Sequence, residues 1–173
     1  VRIYNSRFTK NKVRHESSGN TEVHGGAIYV GAPFTMVNSL VDSNKAEFDA
    51  DNGRGKGGGI DIDVQSQLDH SGNEILGLTY LINNTIVDNY ANGSGGMGGE
   101  GAGIFIDSPS QQRGTWFNNI IWGNRTDRTD GTSWHNINPG NSDQFVMTTN
   151  YNDVEFSEHC RRSKRGKFWP TGN

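Results

Sequence analysis

The fold of this chain is decided by a nine-residue stretch, Leu81-Ile82-Asn83-Asn84-Thr85-Ile86-Val87-Asp88-Asn89. Residues 3–11, 36–44 and 116–124 repeat it with the pattern apolar, apolar, Asn, Ser or Asn, any, apolar, any, any, Asn. Measured between their first Asn residues, the copies are 33, 45 and 35 residues apart (5 to 38, 38 to 83 and 83 to 118). Repeats of this length indicate a solenoid, in which each unit buries its apolar face only against its neighbours.

A second, glycine-rich motif lies between successive copies, at residues 25–30, 57–62 and 101–106. Its glycines predict places where the backbone bends sharply or lies so close to its neighbour that a Cβ would obstruct it. The residues that follow alternate, so that Ile60 and Ile62 face one way and Asp61 the other. This period of two, with β-branched residues in the clusters and Gly, Asn and Asp between them, favours strands over helices.

Coils of strand and turn, stacked with like residues above like, form a parallel β-helix. The sequence therefore predicts an all-β parallel β-helix of about four to five coils over residues 1–155. Outward excursions from it are expected at residues 12–24, 45–56 and 90–100. Residues 156–173 form a separate basic segment, interpreted as a solvated tail or as a docking or anionic-surface segment.

The last Asn of each copy falls where a strand ends and the chain turns; these residues are Asn11, Asn44, Asn89 and Asn124. Asn tolerates left-handed backbone angles, and its amide can bond to the backbone of a turn. Stacked at the ~4.8 Å spacing of neighbouring strands, the four amides are expected to form a hydrogen-bonded ladder along the solenoid.

Composition limits the possible functions. The net charge of −3 over 173 residues argues against a general nucleic-acid surface, which needs a basic face. The apolar runs are too short for a transmembrane helix, and the first residues do not resemble a signal peptide. A single cysteine, Cys160, supports neither an internal disulfide nor a cysteine-based zinc site.

Two groups of residues carry a resemblance to known families. Gly25-Gly26-Ala27-Ile28, taken with Phe8 and Asn11, resembles the paired motif of polymorphic outer membrane proteins, although later copies replace the Phe with Val41, Ile86 and Ile121. Residues 118–124, preceded by 101–106, are similar to the rungs of bacterial secreted right-handed parallel β-helix repeat proteins. The resemblance covers roughly residues 1–155. It implies a right-handed parallel β-helix from an exported or cell-surface protein. Such a chain would be an autotransporter-type passenger or a piece of a larger chain.

A candidate site follows from stacking the strands after the glycine motif. Asp61 lies in one outward file with Tyr29 and Phe105, and Asp63 and Asp107 lie side by side in the next file. Three neighbouring carboxylates could hold Ca²⁺, which prefers hard oxygen ligands. Tyr29 and Phe105 could stack on sugar rings. The alternative interpretation is an ordinary solvated β-face, although neighbouring like charges are mildly unfavourable without a cation or ligand.

The last regular coil is rich in aromatic residues. We expect Phe117 and Ile121 to face inward, and Trp116 and Trp122 to face outward or lie against the C-terminal segment.

Two functions remain open at this point. The leading prediction is a structural or adhesive module that binds a polysaccharide, a cell-surface glycan or a partner surface, without a required cofactor. The alternative is a polysaccharide lyase or glycoside hydrolase with its catalytic groups around Asp61, Asp63 and Asp107. An enzyme needs a groove with converging acids and a base or cation, whereas a rod needs only its sheets and loops.

Overall fold

A computed structural model describes residues 1–16, 21–49, 52–68, 70–75, 77–94, 98–107, 112–127, 135–138, 146–150 and 152–154. The predicted basic segment, residues 156–173, lies outside the described residues. None of the described residues belongs to a helix long and apolar enough to cross a membrane.

The described residues form strands of two to six residues. The first ten strands are β1 (Arg2–Tyr4), β2 (Arg7–Thr9), β3 (Lys12–His15), β4 (Glu22–His24), β5 (Ile28–Val30), β6 (Phe34–Val37), β7 (Leu40–Asp42), β8 (Lys45–Phe48), β9 (Arg54–Lys56) and β10 (Ile60–Ile62). The next six are β11 (Gln67–Leu68), β12 (Glu74–Ile75), β13 (Gly77–Ile82), β14 (Thr85–Val87), β15 (Tyr90–Ala91) and β16 (Ile104–Ile106). The chain continues with β17 (Gln112–Phe117), β18 (Ile120–Trp122), β19 (Arg125–Thr126), β20 (Ile137–Asn138), β21 (Val146–Asn150) and β22 (Asp153–Val154).

Strands from successive coils pair in parallel to form four main sheets. Sheet 1 contains β1, β6, β13, β17 and β21, and sheet 2 contains β2, β7, β14, β18 and β22. Sheet 3 contains β3, β8, β15 and β19, and sheet 4 contains β5, β10, β16 and β20. Because every neighbour in these sheets comes from the next coil, the predicted all-β parallel solenoid is confirmed.

The core consists of inward files of apolar side chains that run along the solenoid axis. In sheet 4 one file is Ile28, Ile60, Ile104 and Ile137. In sheet 2 the file is Phe8, Val41, Ile86, Ile121 and Val154. Burial of each such side chain contributes roughly 2 kcal/mol, so the coils stabilise one another rather than themselves.

The prediction that Trp116 faces outward was wrong. Trp116 is only 1% exposed and stands in the inward file Ile3, Met36, Leu81 and Trp116 of sheet 1. The prediction that Phe117 faces inward was also wrong, because the first apolar residue of the repeat faces in and the second, Phe117, faces out. The predicted inward position of Ile121 and outward position of Trp122 are confirmed.

The predicted asparagine ladder is confirmed. The side-chain amide of Asn11 donates to Oδ1 of Asn44 at 2.9 Å, Asn44 donates to Asn89 at 2.9 Å, and Asn89 donates to Asn124 at 2.8 Å. Each buried amide also donates to a backbone carbonyl, as Asn89 does to Val41 O at 3.0 Å. Asn44, Asn89 and Asn124 are buried, so these bonds satisfy groups that water does not reach.

A second ladder occupies the preceding corner of each coil, at the Ser or Asn of the repeat. Asn84 donates to Oδ1 of Asn119 at 3.1 Å, and Asn119 donates to Oδ1 of Asn152 at 2.8 Å. In the earlier coil Ser39 stands at this position, and its backbone N–H donates to Oδ1 of Asn84 at 3.0 Å. Both corners of the nine-residue stretch are therefore fastened by side-chain amides.

The sequence suggests left-handed backbone angles at the ladder asparagines, but these residues do not have them. Positive φ angles fall one residue earlier, for example at Ser43 (57°) and Asp88 (55°). The ladder amide needs an inward side chain, whereas a left-handed residue at this corner points its side chain outward. The turn therefore divides the two tasks between neighbouring residues.

After the ladder Asn the chain forms a side lobe, which consists of β3 and β8 of sheet 3 together with β4 and β9. β3 pairs with β8 and β4 with β9, both in parallel, and a small cluster of Val13, Val23, Ala46 and Phe48 lies between them. The lobe therefore has its own apolar contacts. β4 and β9 form a separate two-stranded sheet, and the chain passes from them into β5 and β10 of sheet 4.

The longest coil contains an antiparallel pair, β11 and β12, between β10 of sheet 4 and β13 of sheet 1. This pair accounts for the spacing of 45 residues between two copies of the repeat. The strands on either side of it keep their register with the neighbouring coils.

We predict that Asn89→Ala costs about 3 kcal/mol of unfolding free energy, because it removes two donated and two accepted hydrogen bonds in a buried site. Urea unfolding measures the loss. Asn11→Ala, at the exposed end of the same ladder, is the control and should cost about 1 kcal/mol or less. Equal losses for the two variants would contradict the contribution of the buried ladder.

The predicted role of the glycine motif is confirmed at Gly58, where an added Cβ would lie 2.3 Å from the backbone oxygen of Tyr90. We therefore expect Gly58→Ala to cost about 3 kcal/mol, because a backbone atom cannot move aside without shifting a strand. Gly31→Ala is the control, since the nearest atom to its Cβ would be 3.9 Å away. Thermal unfolding followed by circular dichroism compares the two; similar transition temperatures would disprove the close approach.

Candidate functional site

The candidate site lies on the outer face of sheet 4, where the chain passes into it from β4 and β9 of the side lobe. Register places Asp61 directly beside Tyr29 on one side and Phe105 on the other, as the sequence predicted. Asp63 and Asp107 follow one residue after β10 and β16, in the next outward file. The predicted proximity of these five residues is thus present.

The predicted exposure of Asp61 and Phe105, however, is not observed. Asp61 is 0% exposed and Phe105 is 2% exposed, because side chains of the lobe cover them. Nζ of Lys56, from β9, lies 4.8 Å from the centre of the Phe105 ring, where a cation interacts favourably with the ring face. The ring face on which a sugar was expected to stack is thus shared with an ammonium group. Tyr29 remains 54% exposed.

His24 and Asp61 form the centre of the site. Nδ1 of His24, from β4, is 2.6 Å from Oδ2 of Asp61 on β10. The hydrogen bond to Asp61 raises the pKa of His24, and burial raises the pKa of the Asp61 carboxyl to about 6. Oδ1 of Asp61 is buried and accepts no hydrogen bond from any described residue. The pair joins the lobe to the solenoid and holds the imidazole in one orientation.

Lys56 supplies the positive charge next to this pair. Its Nζ is 2.7 Å from Oε2 of Glu22 and 3.4 Å from Oδ2 of Asp107. Burial disfavours the charged ammonium, but the Glu22 hydrogen bond and the charges of Asp107 and Asp61 outweigh it and raise the pKa of Lys56. The repulsion expected between neighbouring carboxylates is therefore offset by a lysine of the chain itself.

Arg54 extends the network along β9. Its Nε is 3.5 Å from Oε1 of Glu22, and a terminal nitrogen donates to Oε1 of Glu100 at 2.8 Å. Glu22 thus lies between two cations, and Nε2 of His24 is 3.7 Å from its other oxygen. The acidic and basic side chains of this face therefore contact one another across the lobe.

Tyr29 marks the exposed edge of the site. Its hydroxyl donates to Oδ2 of Asp63 at 3.0 Å, and its ring lies edge-on to His24 with 5.5 Å between ring centres. Partial desolvation of the hydroxyl and the bond to Asp63 raise the pKa of Tyr29 to about 12, so the phenol stays protonated. A ligand that reaches this face would meet Tyr29 first.

Calcium binding at Asp61, Asp63 and Asp107 stays a prediction. Within the part of the chain that the structure describes, no group of three or more His, Cys, Asp or Glu side chains has the geometry of a metal site. Among the partners of these carboxylates are His24 for Asp61, Tyr29 and Gln65 for Asp63, and Lys56 for Asp107.

Sequence reasoning missed His24, Lys56 and Glu22. Their contribution depends on how the excursions fold back, which the repeat spacing does not determine. One signal was available: an ionisable residue immediately precedes each glycine motif, at His24, Lys56 and Glu100. Equivalent positions in a solenoid lie above one another, so these three side chains could have been assigned to one face.

Comparison of the chain with protein-family models, with curated proteins and with solved structures gave no match. The parallel β-solenoid is established by strand register and by the two ladders. A relationship to polymorphic outer membrane proteins therefore stays a prediction from the motifs.

The His24–Asp61 pair predicts a pH dependence of stability. Both groups bind a proton more tightly in the folded chain, since the pKa of Asp61 rises from 3.8 to about 6 and that of His24 rises above 6.5. The contribution of the pair is therefore complete below about pH 4 and is lost as the pH rises through these folded values. We expect the stability difference between wild type and Asp61→Asn to shift against the wild type from about pH 4 to pH 6, as Asp61 ionises, and further above pH 6.5, as His24 loses its proton.

Urea unfolding of both proteins at several pH values measures this difference. Carboxylates elsewhere cancel in the comparison, because both proteins contain them. A stability difference that is constant with pH would show that the pair does not titrate in this way.

Proposed function

We propose that this chain is a structural, carbohydrate-binding module of an exported or cell-surface protein. The scaffold is suited to this role, because the ladders and inward files fix the outer side chains at regular intervals along the solenoid. Its placement outside the cell and within a larger chain rests on the resemblance of the repeat motifs.

The observation that carries the proposal is the pairing of the ionisable groups on the outer face of sheet 4. Asp61 is paired with His24, and Lys56 with Glu22 and Asp107. Each pair joins the lobe to the coils or one coil to the next. Groups engaged in this way stabilise a shape, and they support a surface for binding better than a reactive centre.

A second candidate function, a polysaccharide lyase or glycoside hydrolase, is favoured by one specific observation. Asp61 orients the His24 imidazole through Nδ1, and the His24 side chain is 32% exposed next to Tyr29. A partly exposed imidazole with a raised pKa and a carboxylate partner can accept and return a proton. For this second candidate function, His24 is the general base and Asp61 is a positioning residue.

Incubation with acidic and neutral polysaccharides tests both candidates. We predict that the 173-residue chain binds at least one linear polysaccharide, and that neither unsaturated product nor new reducing ends accumulate. Affinity electrophoresis measures binding, and ultraviolet absorbance and a reducing-sugar assay measure cleavage.

Cleavage by the wild type that is lost in His24→Gln, a variant of similar size, would overturn the structural proposal in favour of the enzyme. Cleavage that survives in His24→Gln would exclude His24 as its base. Absence of binding to every polymer tested would contradict the carbohydrate-binding proposal.

A further inference from the structure

A file of asparagines runs along the outer corner between sheets 1 and 2. The corner file consists of Asn5, Asn38, Asn83 and Asn118, the first Asn of each repeat. All four have left-handed backbones, with φ of 48°, 51°, 55° and 53°. All four are exposed.

The left-handed backbone does not by itself require asparagine. The next corner of each coil has the same conformation, with φ between 55° and 66°, and there it is occupied by Lys10, Ser43, Asp88 and Gly123. Four different residues therefore satisfy one corner, while the other corner carries the same residue four times. The turn conformation alone therefore does not explain why asparagine recurs at every position of the corner file.

Hydrogen bonds within the chain do not explain the recurrence of asparagine at this corner either. The backbone N–H groups of Asn5 and Asn38 donate to Val37 O and Ile82 O of the next coil, each at 3.0 Å. The side-chain amides of the corner file make no hydrogen bond to any described residue. The amides of the neighbouring ladder residues, by contrast, are fully bonded within the core. The corner amides are thus available to a ligand.

A shallow groove of about 500 Å³ follows the corner file over three coils, lined by Asn5, Asn38 and Asn83 together with Ser6, Arg7 and Leu40. Each side of the corner carries an outward file with apolar members. One file is Tyr4, Val37, Ile82 and Phe117, and the other is Arg7, Leu40, Thr85 and Ile120. Tyr4 is 51% exposed and Ile120 is 45% exposed, so apolar surface is open to solvent on both sides of the amides.

We infer that the corner file binds a linear polysaccharide that lies in this groove along the solenoid axis. A carboxamide both donates and accepts, which matches the hydroxyl groups of a sugar. The apolar faces of pyranose rings match the flanking files, where Tyr4 offers an aromatic ring. This inference rests on the proposed carbohydrate-binding function and assigns that function to a site away from sheet 4.

The repetition of the corner file favours a polymer over a single sugar. Coils stack at the ~4.8 Å spacing of neighbouring strands, so the amides recur at that interval along the groove. A chain of linked sugars presents hydroxyl groups repeatedly along one direction, and each additional coil adds a contact. Backbone N–H groups at the corner are already bonded between coils, so an extended peptide gains no strand pairing there.

Affinity electrophoresis with two probes, a neutral β-glucan and polygalacturonate, tests the inference. We expect Asn38→Gly to weaken binding about fivefold, and Asn38→Gly/Asn83→Gly roughly tenfold or more, through lost amide hydrogen bonds. Glycine keeps the left-handed backbone. Ser43→Gly is the matched control, because Ser43 lies in the same coil with φ of 57°, and it should bind as the wild type does.

The outcomes separate this inference from the proposed function. If the wild type binds a probe and the double variant binds it equally well, the groove is overturned while carbohydrate binding stands. If the wild type binds neither probe, both are overturned. Equal weakening in Asn38→Gly and Ser43→Gly would also overturn the groove, because it would reflect the turn. If the glycine variants fail to fold, nuclear magnetic resonance of the wild type is the test. The side-chain amide resonances of Asn38 and Asn83 must then shift when the bound probe is added, and unshifted resonances would overturn the groove.

Discussion

The structure depends on the hydrogen bonds of buried side-chain amides between coils. Asn44, Asn89 and Asn124 lie where water does not reach, so only the neighbouring coils can satisfy them. A shift of one residue between two coils would leave several polar groups unpaired and would turn the inward files outward. The ladders therefore set the register, and the register sets the position of every outward side chain.

The architecture was predictable because one pattern occurs four times with the same internal spacing. Apolar and Asn positions that recur together imply that like residues lie above one another, and this is what the sheets show. The errors were local. Trp116 was assigned to the outside because alternation alone does not say which of two adjacent apolar residues faces in; the file of Met36 and Leu81 decides it.

The candidate site was only partly predictable, for a different physical reason. The neighbours Asp61, Tyr29 and Phe105 followed from stacking, since they belong to the repeat. The groups that pair with or cover them, His24 and Lys56, come from excursions whose path depends on their own packing around Phe48. Burial, and with it the raised pKa of Asp61, could not be inferred from the spacing.

The β11–β12 pair shows which part of a coil has a constant length. The nine residues from the first inward side chain to the ladder asparagine are the same length in all four copies, while the remainder varies from coil to coil. Insertions in that remainder leave the stack intact, because they enter between one sheet and the next. Lobes of differing size and charge can therefore be acquired independently of the scaffold, so surface chemistry and architecture are able to evolve separately in a chain of this design.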